Sequence, residues 1–302
     1  MMDNTAKYSL ISTSSHLFQD ISVISPYRPL NAWRKIFFKY AAGNCHITFI
    51  DNRLPQILFN DAIVECNTTL IVFDASTTIP FIKWIRNVCR NVRIILWYWN
   101  PVKEITYLPP QKVGDVEKWS YSEKDCKKYS MKFNTTFYSK KYKLPIQKIE
   151  RDLFFIGIDK GRYQKIHRYR KQLENSGLST YIHISPDHRY QKFNKRGYLS
   201  PIPYKKVLEE IAKSRALLDI YNDPNAGFSL RVMESLFFRK KLVTNNYGVF
   251  NADFYRPENI FVLGVDDISN IYSFIHSPYK EVPEEVVMYY DFDNWLNRFN
   301  GT

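Results

Sequence analysis

Residues 214–246, SRALLDIYNDPNAGFSLRVMESLFFRKKLVTNN, decide how the rest of the chain is read. They run as a short apolar strand ending near Asp219, a polar loop, a helix, and a second short strand closed by Asn245 and Asn246. The loop 221–229 holds Asp223-Pro224, Asn225 and Gly227, all turn formers. Ser229 is a good N-cap, and Val232, Met233, Leu236 and Phe237 behind it form the inward face of a helix. In parallel α/β sheets ligands sit beyond the carboxyl ends of strands. A helix N-terminus there offers backbone N–H groups and a partial positive charge to a phosphate, and Gly227 lets a ligand approach the backbone closely. Arg231 stands where its charge opposes the helix dipole, and a diphosphate would account for that placement. Glu234, one turn on, could accept two hydroxyls of a ribose. An ordinary βα turn with Arg231 and Glu234 as a surface i,i+3 pair fits the same pattern.

Working outward, short apolar runs of strand length recur at 47–50, 70–73, 94–97, 153–156, 181–184, 217–220, 242–244 and 260–263. They are rich in β-branched and aromatic residues and do not alternate, as befits strands buried on both faces of a parallel sheet. Helical spacing separates them at 78–89, at 163–175 (basic, stopping before Gly177) and at 204–213. Strands alternating with helices define an α/β class. From 107 to 150 the rhythm fades into a stretch of lysines interleaved with Trp119, Tyr121, Tyr129, Phe133, Phe137, Tyr138 and Tyr142. The expected division is an amino-terminal domain over 1–145, a carboxy-terminal domain over 146–280, and a helical tail over 281–302 packing back on the amino-terminal domain. The tail reads as one broken helix or two short ones.

A chain of 302 residues accommodates about two domains. Apolar content of 45% and charged content of 24% exclude a mostly disordered chain. The 43 Lys and Arg against 30 Asp and Glu leave +13, a surplus that favours phosphate-bearing partners of some kind. The four cysteines, Cys45, Cys66, Cys89 and Cys126, lie far apart without a C-x-x-C pair, so reduced, packed thiols are expected. The first residues lack a signal-peptide apolar run and no stretch approaches a membrane span, so a cytoplasmic location is expected.

A second segment bears chemistry. Residues 152–162, DLFFIGIDKGR, run a buried-type strand into Gly157, Asp159, Lys160, Gly161 and Arg162. Two glycines and two cations past a strand end suit an anion-binding turn, although a solvated loop has the same composition. It matches neither a Walker loop nor a dinucleotide fingerprint.

With Asp219, Gly227-Phe228-Ser229, Arg231-Val232-Met233-Glu234 and Lys240-Lys241-Leu242-Val243-Thr244-Asn245, the quoted stretch resembles the nucleotide-sugar segment of bacterial GT-B glycosyltransferases of capsule, exopolysaccharide and lipopolysaccharide assembly. Trp97-Tyr98-Trp99-Asn100-Pro101, Asp125-Cys126-Lys127-Lys128-Tyr129, the 155–162 turn, Ile202-Pro203-Tyr204, and Asp253-Phe254-Tyr255 with Asn259-Ile260 extend the resemblance over most of the chain beyond about residue 70. It implies a GT-B-like fold of two facing Rossmann-like domains with parallel sheets. It also implies transfer of a sugar from a nucleotide-sugar donor to a glycan or lipid-linked oligosaccharide acceptor. Glu234 would then bind ribose, Ser229 and the helix amides the diphosphate, and Tyr204 would flank the base. Gly227 and Asn245 would complete the donor site. Lys160, Arg162 and Arg231 would neutralise charge on the departing diphosphate without a metal or other cofactor. Ala226 stands where related enzymes often carry a second Glu, and Asn225 where they often carry Gln, so retention or inversion is not fixed.

For a catalytic base the first candidate is Asp74, at the end of the 70–73 strand, and the second is His16. A turn or capping role for Asp74 and an ordinary loop role for His16 are the plainer readings. Asp291-Phe292-Asp293 and the His183, Asp187, His188 group are weak metal signals and no metal site is expected. The basic aromatic stretch 118–143 leaves an alternative, a non-catalytic protein that binds nucleic acid or a nucleotide sugar. Nucleic acid is the less favoured partner. Anionic lipid headgroups attract the same lysines, which would give peripheral contact with the inner face of the cell membrane.

Overall fold

The computed structural model describes residues 69–74, 78–89, 91–102, 108–187, 197–224 and 226–300. The expected strand at 47–50, His16, His188 and Asn225 lie outside the described residues. The described chain falls into two compact units that divide between Thr135 and Thr136, upstream of the expected boundary at 145.

The first unit carries four parallel strands in the order β1 (Thr69–Phe73), β2 (Arg93–Tyr98), β3 (Glu117–Ser120) and β4 (Lys132–Phe133). Helix α1 (Thr78–Val88) connects β1 to β2 and drives Phe81, Ile82, Trp84 and Ile85 against Ile94, Leu96 and Tyr98. Helix α2 (Glu123–Tyr129) connects β3 to β4, with Ser122 accepting from the Asp125 N–H as its cap. The elements β3, α2 and β4 fall in the stretch where the sequence rhythm fades. Their strands are polar because a charge ladder crosses the sheet there. Glu117 on β3 takes Arg93 of β2 at 2.5 Å and Lys132 of β4 at 3.2 Å. The Arg93 hydrogen bond holds the Glu117 carboxyl at about 2. Several aromatics of the stretch, Trp119, Phe137 and Tyr138, are buried. They are core residues, which reduces the aromatic surface available for stacking, although Phe133 is 45% exposed.

The second unit carries five parallel strands in the order β6-β5-β7-β8-β9, with β5 Arg151–Ile158, β6 Thr180–Ser185, β7 Ser214–Asp219, β8 Lys241–Thr244 and β9 Ile260–Val262. Helix α3 (Tyr163–Asn175) links β5 to β6, α4 (Tyr204–Ala212) links β6 to β7, and α5 (Leu230–Phe237) links β7 to β8. Alternate residues of β5 supply the two faces. Leu153 and Phe155 pack with Ile166 and Leu173 of α3 and with α6 (Ile271–His276). Phe154 packs with Leu208 and Ile211 of α4 and with Val232, Met233 and Leu236 of α5. Both faces are therefore covered, as the unbroken apolar runs require. Because α3 lies on one face and α4 and α5 on the other, the chain reverses direction between β5 and β7. That is the topological switch point of a doubly wound sheet.

The tail forms two short helices, α7 (Glu284–Tyr289) and α8 (Phe292–Asn297). Val282 and Tyr290 join the α4–α5 side of the core, and Trp295 lies 4.2 Å from the Phe137 ring. Tyr138 donates its N–H to Tyr290 O at 2.9 Å and accepts from the Phe292 N–H at 2.8 Å. Asp291 accepts the Lys140 N–H at 2.9 Å. The strip that receives the tail was assigned from sequence to the amino-terminal domain. The structure gives it to the carboxy-terminal unit, and the first Asp of the D-x-D triplet is the clasp that holds it. Among the described residues no helix is long and apolar enough to cross a membrane.

Candidate functional site

The β5–β7 pairing stops at Phe154 and Leu217, whereas β5 stays paired with β6 as far as Ile158. Beyond that point β5 and β7 part, and two guanidinium groups bridge the opening. Arg231, on the first turn of α5, reaches back to Asp219 Oδ1 at 3.1 Å and to the Ile156 carbonyl. Arg162 donates to the Ile220 carbonyl and, at 3.2 Å, to the Ile158 carbonyl. Both groups lie over the Phe155 ring, with centroid distances of 5.1 Å and 5.4 Å. A Cβ on Gly157 would stand 3.0 Å from Arg162 Nη2, so glycine makes room for that arginine. The two expected ligand loops, 157–162 and 221–229, thus meet at the switch point of one sheet.

Each loop is held by its own contacts. Lys160 (φ 48°) and Gly161 (φ 77°) both take the left-handed conformation. Asp159 is buried and ties down the start of α3, accepting the Tyr163 N–H at 2.6 Å and the Tyr198 hydroxyl at 2.8 Å. Burial and that hydrogen bond push the Tyr198 phenol up to about 12. Asn222 donates to the Lys160 carbonyl at 2.8 Å, and Lys165 donates to the Tyr221 carbonyl at 3.1 Å. Asn245 clamps the Tyr221 backbone from both sides, accepting its N–H at 2.7 Å and donating to its C=O at 3.0 Å. Asn246 donates to the Ala226 carbonyl at 3.0 Å.

Some expected roles change with this geometry. Ser229 is the α5 cap, accepting the Arg231 N–H at 3.1 Å and donating to Asp219 Oδ2 at 2.6 Å, while its own N–H goes to the Tyr221 hydroxyl at 2.8 Å. Arg231 finds its counter-charge in Asp219, 1% exposed, so no diphosphate is needed to account for its place on the helix. Glu234 is 3% exposed, not part of a surface pair. It accepts the Tyr204 hydroxyl at 2.8 Å, and desolvation pushes its carboxyl up to about 7 against the opposing pull of Arg231. Tyr204 is in the core beside Tyr138 and Tyr142, so its ring does not present a face to a nucleobase. Gly227 is not among the glycines with positive φ. In the first unit, Asp74 accepts the Trp99 N–H at 3.1 Å and the Asn100 side-chain amide at 2.8 Å, fastening the ends of β1 and β2 as a turn residue does.

Sequence reasoning placed Asp159 and Tyr221 in the ligand loops without giving either a role, and missed Lys165 and Tyr198 as parts of the site. The strand-end position of Asp159 and its spacing to Tyr163 was the available signal. Tyr198, distant in sequence, left none.

Site and fold together define an α/β protein with a parallel sheet in each of two units, the class expected from the sequence as GT-B-like. A crystal structure of TarM superposes with a TM-score of 0.54, covering 80% of this chain and 56% of that one at 11% identity. The chain thus spans a little over half the length of TarM, and the likeness is one of fold. A structure of S. aureus MnaA with UDP superposes with a TM-score of 0.41, over 77% of this chain and 72% of that one, also at 11% identity. No protein-family model matches the chain, and no curated protein matches it in sequence.

Proposed function

We propose that the protein is a glycosyltransferase that moves a sugar from a nucleotide-sugar donor to a glycan or lipid-linked acceptor in bacterial surface-polysaccharide assembly. The observation that carries this reading is the parting of β5 and β7 at the switch point, with Lys160, Arg162, Arg231 and Lys165 gathered around the opening. Against these cations stand the buried carboxylates Asp159 and Asp219. The diphosphate would lie across the opening, near the amino end of α5. Arg162 and Arg231, each tied to the strand ends through both terminal nitrogens, would act through fixed positive charge. Lys160, on the turn itself, would touch the phosphates. Charge developing on the departing diphosphate would meet this preorganised field, and no metal is called for. Glu234 would receive the ribose hydroxyls. Asn245 would complete the donor site by holding the Tyr221 backbone in place. Asp74 remains the first candidate base, with His16 second. The lysine-rich surface fits work beside an anionic membrane face in the cytoplasm.

The test is release of nucleoside diphosphate from a panel of nucleotide sugars. Lys160→Asn suits the left-handed backbone better than alanine. It is expected to lower kcat by about 10- to 100-fold with the melting temperature kept. A wild type that neither turns over nor binds any donor overturns the reading.

A further inference from the structure

Glu234 stands at the end of a buried chain of hydroxyls. Tyr204 of α4 donates to Glu234 Oε1 at 2.8 Å, and the Tyr138 hydroxyl lies 2.5 Å from that of Tyr204. A phenol has one proton to give. With the Tyr204 proton spent on the carboxylate, the short contact must be donated by Tyr138, so the chain runs Tyr138 to Tyr204 to Glu234. Burial, and the nearby charge of Glu234, hold both phenols well above their ordinary range, so each keeps its proton. If Glu234 becomes protonated, the carboxylic acid can donate instead and the direction of the chain reverses. The far end is fixed. Tyr138 is bonded through its backbone to Tyr290 and Phe292 of the tail, and its ring packs on Phe237 and Phe238. The charged groups that face Glu234 are Arg231 on its own helix, Asp219 from β7 and Tyr204 from α4, with Tyr138 behind Tyr204.

We propose that Tyr204, backed by Tyr138, is a positioning residue that holds Glu234 as an oriented carboxylate, with Oε2 left to receive the vicinal hydroxyls of a ribose. The ligand part of this inference rests on the nucleotide-sugar reading above, and the Glu234 part does not. A neutral Glu234 offers one acceptor less to a diol. The Tyr204 bond therefore lowers the pH above which the site accepts the ribose, working with Arg231 against the desolvation that raises it. The tail, by fixing Tyr138 and packing in the same core, helps to set the geometry of that site.

Two measurements on the full chain separate the parts. The first needs no ligand. The stability difference between wild type and Glu234→Gln is followed against pH by urea unfolding, then repeated in a Tyr204→Phe background. The pH at which the difference develops is expected to rise by about one unit without the Tyr204 donor, and by less in Tyr138→Phe. An unchanged transition pH with merely lower stability overturns the inference, since a purely structural role predicts that result. Should Tyr204→Phe fail to fold, Tyr138→Phe decides by the same criterion. The second is titration with uridine diphosphate and the other nucleoside diphosphates. Tyr204→Phe is expected to bind about 10-fold more weakly at pH 7 and to recover toward pH 9. Equal loss at both pH values overturns the positioning role. A wild type that binds none of them overturns the nucleotide-sugar reading, while the first measurement still decides the link between Tyr204 and Glu234.

Discussion

Replacing Arg231 by alanine is expected to lower the unfolding free energy by about 3–5 kcal/mol. The guanidinium pairs with Asp219, whose side chain is 2% exposed, and hydrogen-bonds the Ile156 carbonyl where β5 has left its neighbour β7. Without it, Asp219 keeps hydroxyl partners, Ser229 and Tyr221, but no cation, and a buried carboxylate without its cation is costly. The Ile156 carbonyl also loses its donor. Asp219→Asn in the Arg231→Ala background is expected to recover part of the loss, because the uncompensated charge is gone. Urea unfolding of the two single variants and the double variant measures this as a coupling energy. A loss under about 1 kcal/mol for Arg231→Ala would place the arginine on the surface, as the i,i+3 reading of the sequence has it, and contradict the bridged switch point.

The second large effect is set by pH. Glu234 has its folded value raised to about 7 by burial, from an ordinary 4.5. The folded state therefore binds the proton more tightly than the unfolded state. Below about 4.5 the group is neutral in both states and costs nothing through its charge. As pH climbs from about 4.5 to about 7 the unfolded chain ionises first and wild type loses stability, by about 3 kcal/mol once both states are charged. Glu234→Gln keeps an acceptor for the Tyr204 hydroxyl and carries no titrating group. It should be more stable than wild type at pH 8 by roughly that amount, and indistinguishable near pH 4.5. A constant difference across the range would mean that Glu234 does not titrate in this window. A stabilising change that also removes ligand binding is the pattern of a carboxylate retained for function at a cost to the fold.

What the sequence made legible follows from what period and punctuation can encode. The strands of the second unit are apolar on both faces, and their positions in the structure agree with the expected runs at 153–156, 181–184, 217–220, 242–244 and 260–263. Helix α3 spans the expected 163–175, and Ser229 caps α5 as its residue type predicts. Strands β3 and β4 escaped because their sequences, EKWS and KF, serve a charge ladder and carry little apolar signal. The loops 157–162 and 221–229 were recognised separately. That they meet is a property of strand order, which no local pattern contains. The partner of Arg231 was visible in the sequence as Asp219, twelve residues earlier on a different element. Pairing the two required the helix to fold back over the strand end. The burial of Tyr204 and Glu234 likewise depends on Tyr138 and the tail, both distant in sequence.

Isothermal titration of the full chain at pH 8 with a panel of nucleoside diphosphates tests the central claim most directly, namely that the opening between β5 and β7 is a nucleotide-diphosphate site. At least one nucleotide is expected to bind with Kd on the order of 1 μM to 1 mM. Lys160→Asn and Glu234→Ala are each expected to weaken it about 10-fold or more while remaining folded. A folded wild type that binds none of the panel, or a nucleotide whose affinity is indifferent to both substitutions, would contradict it.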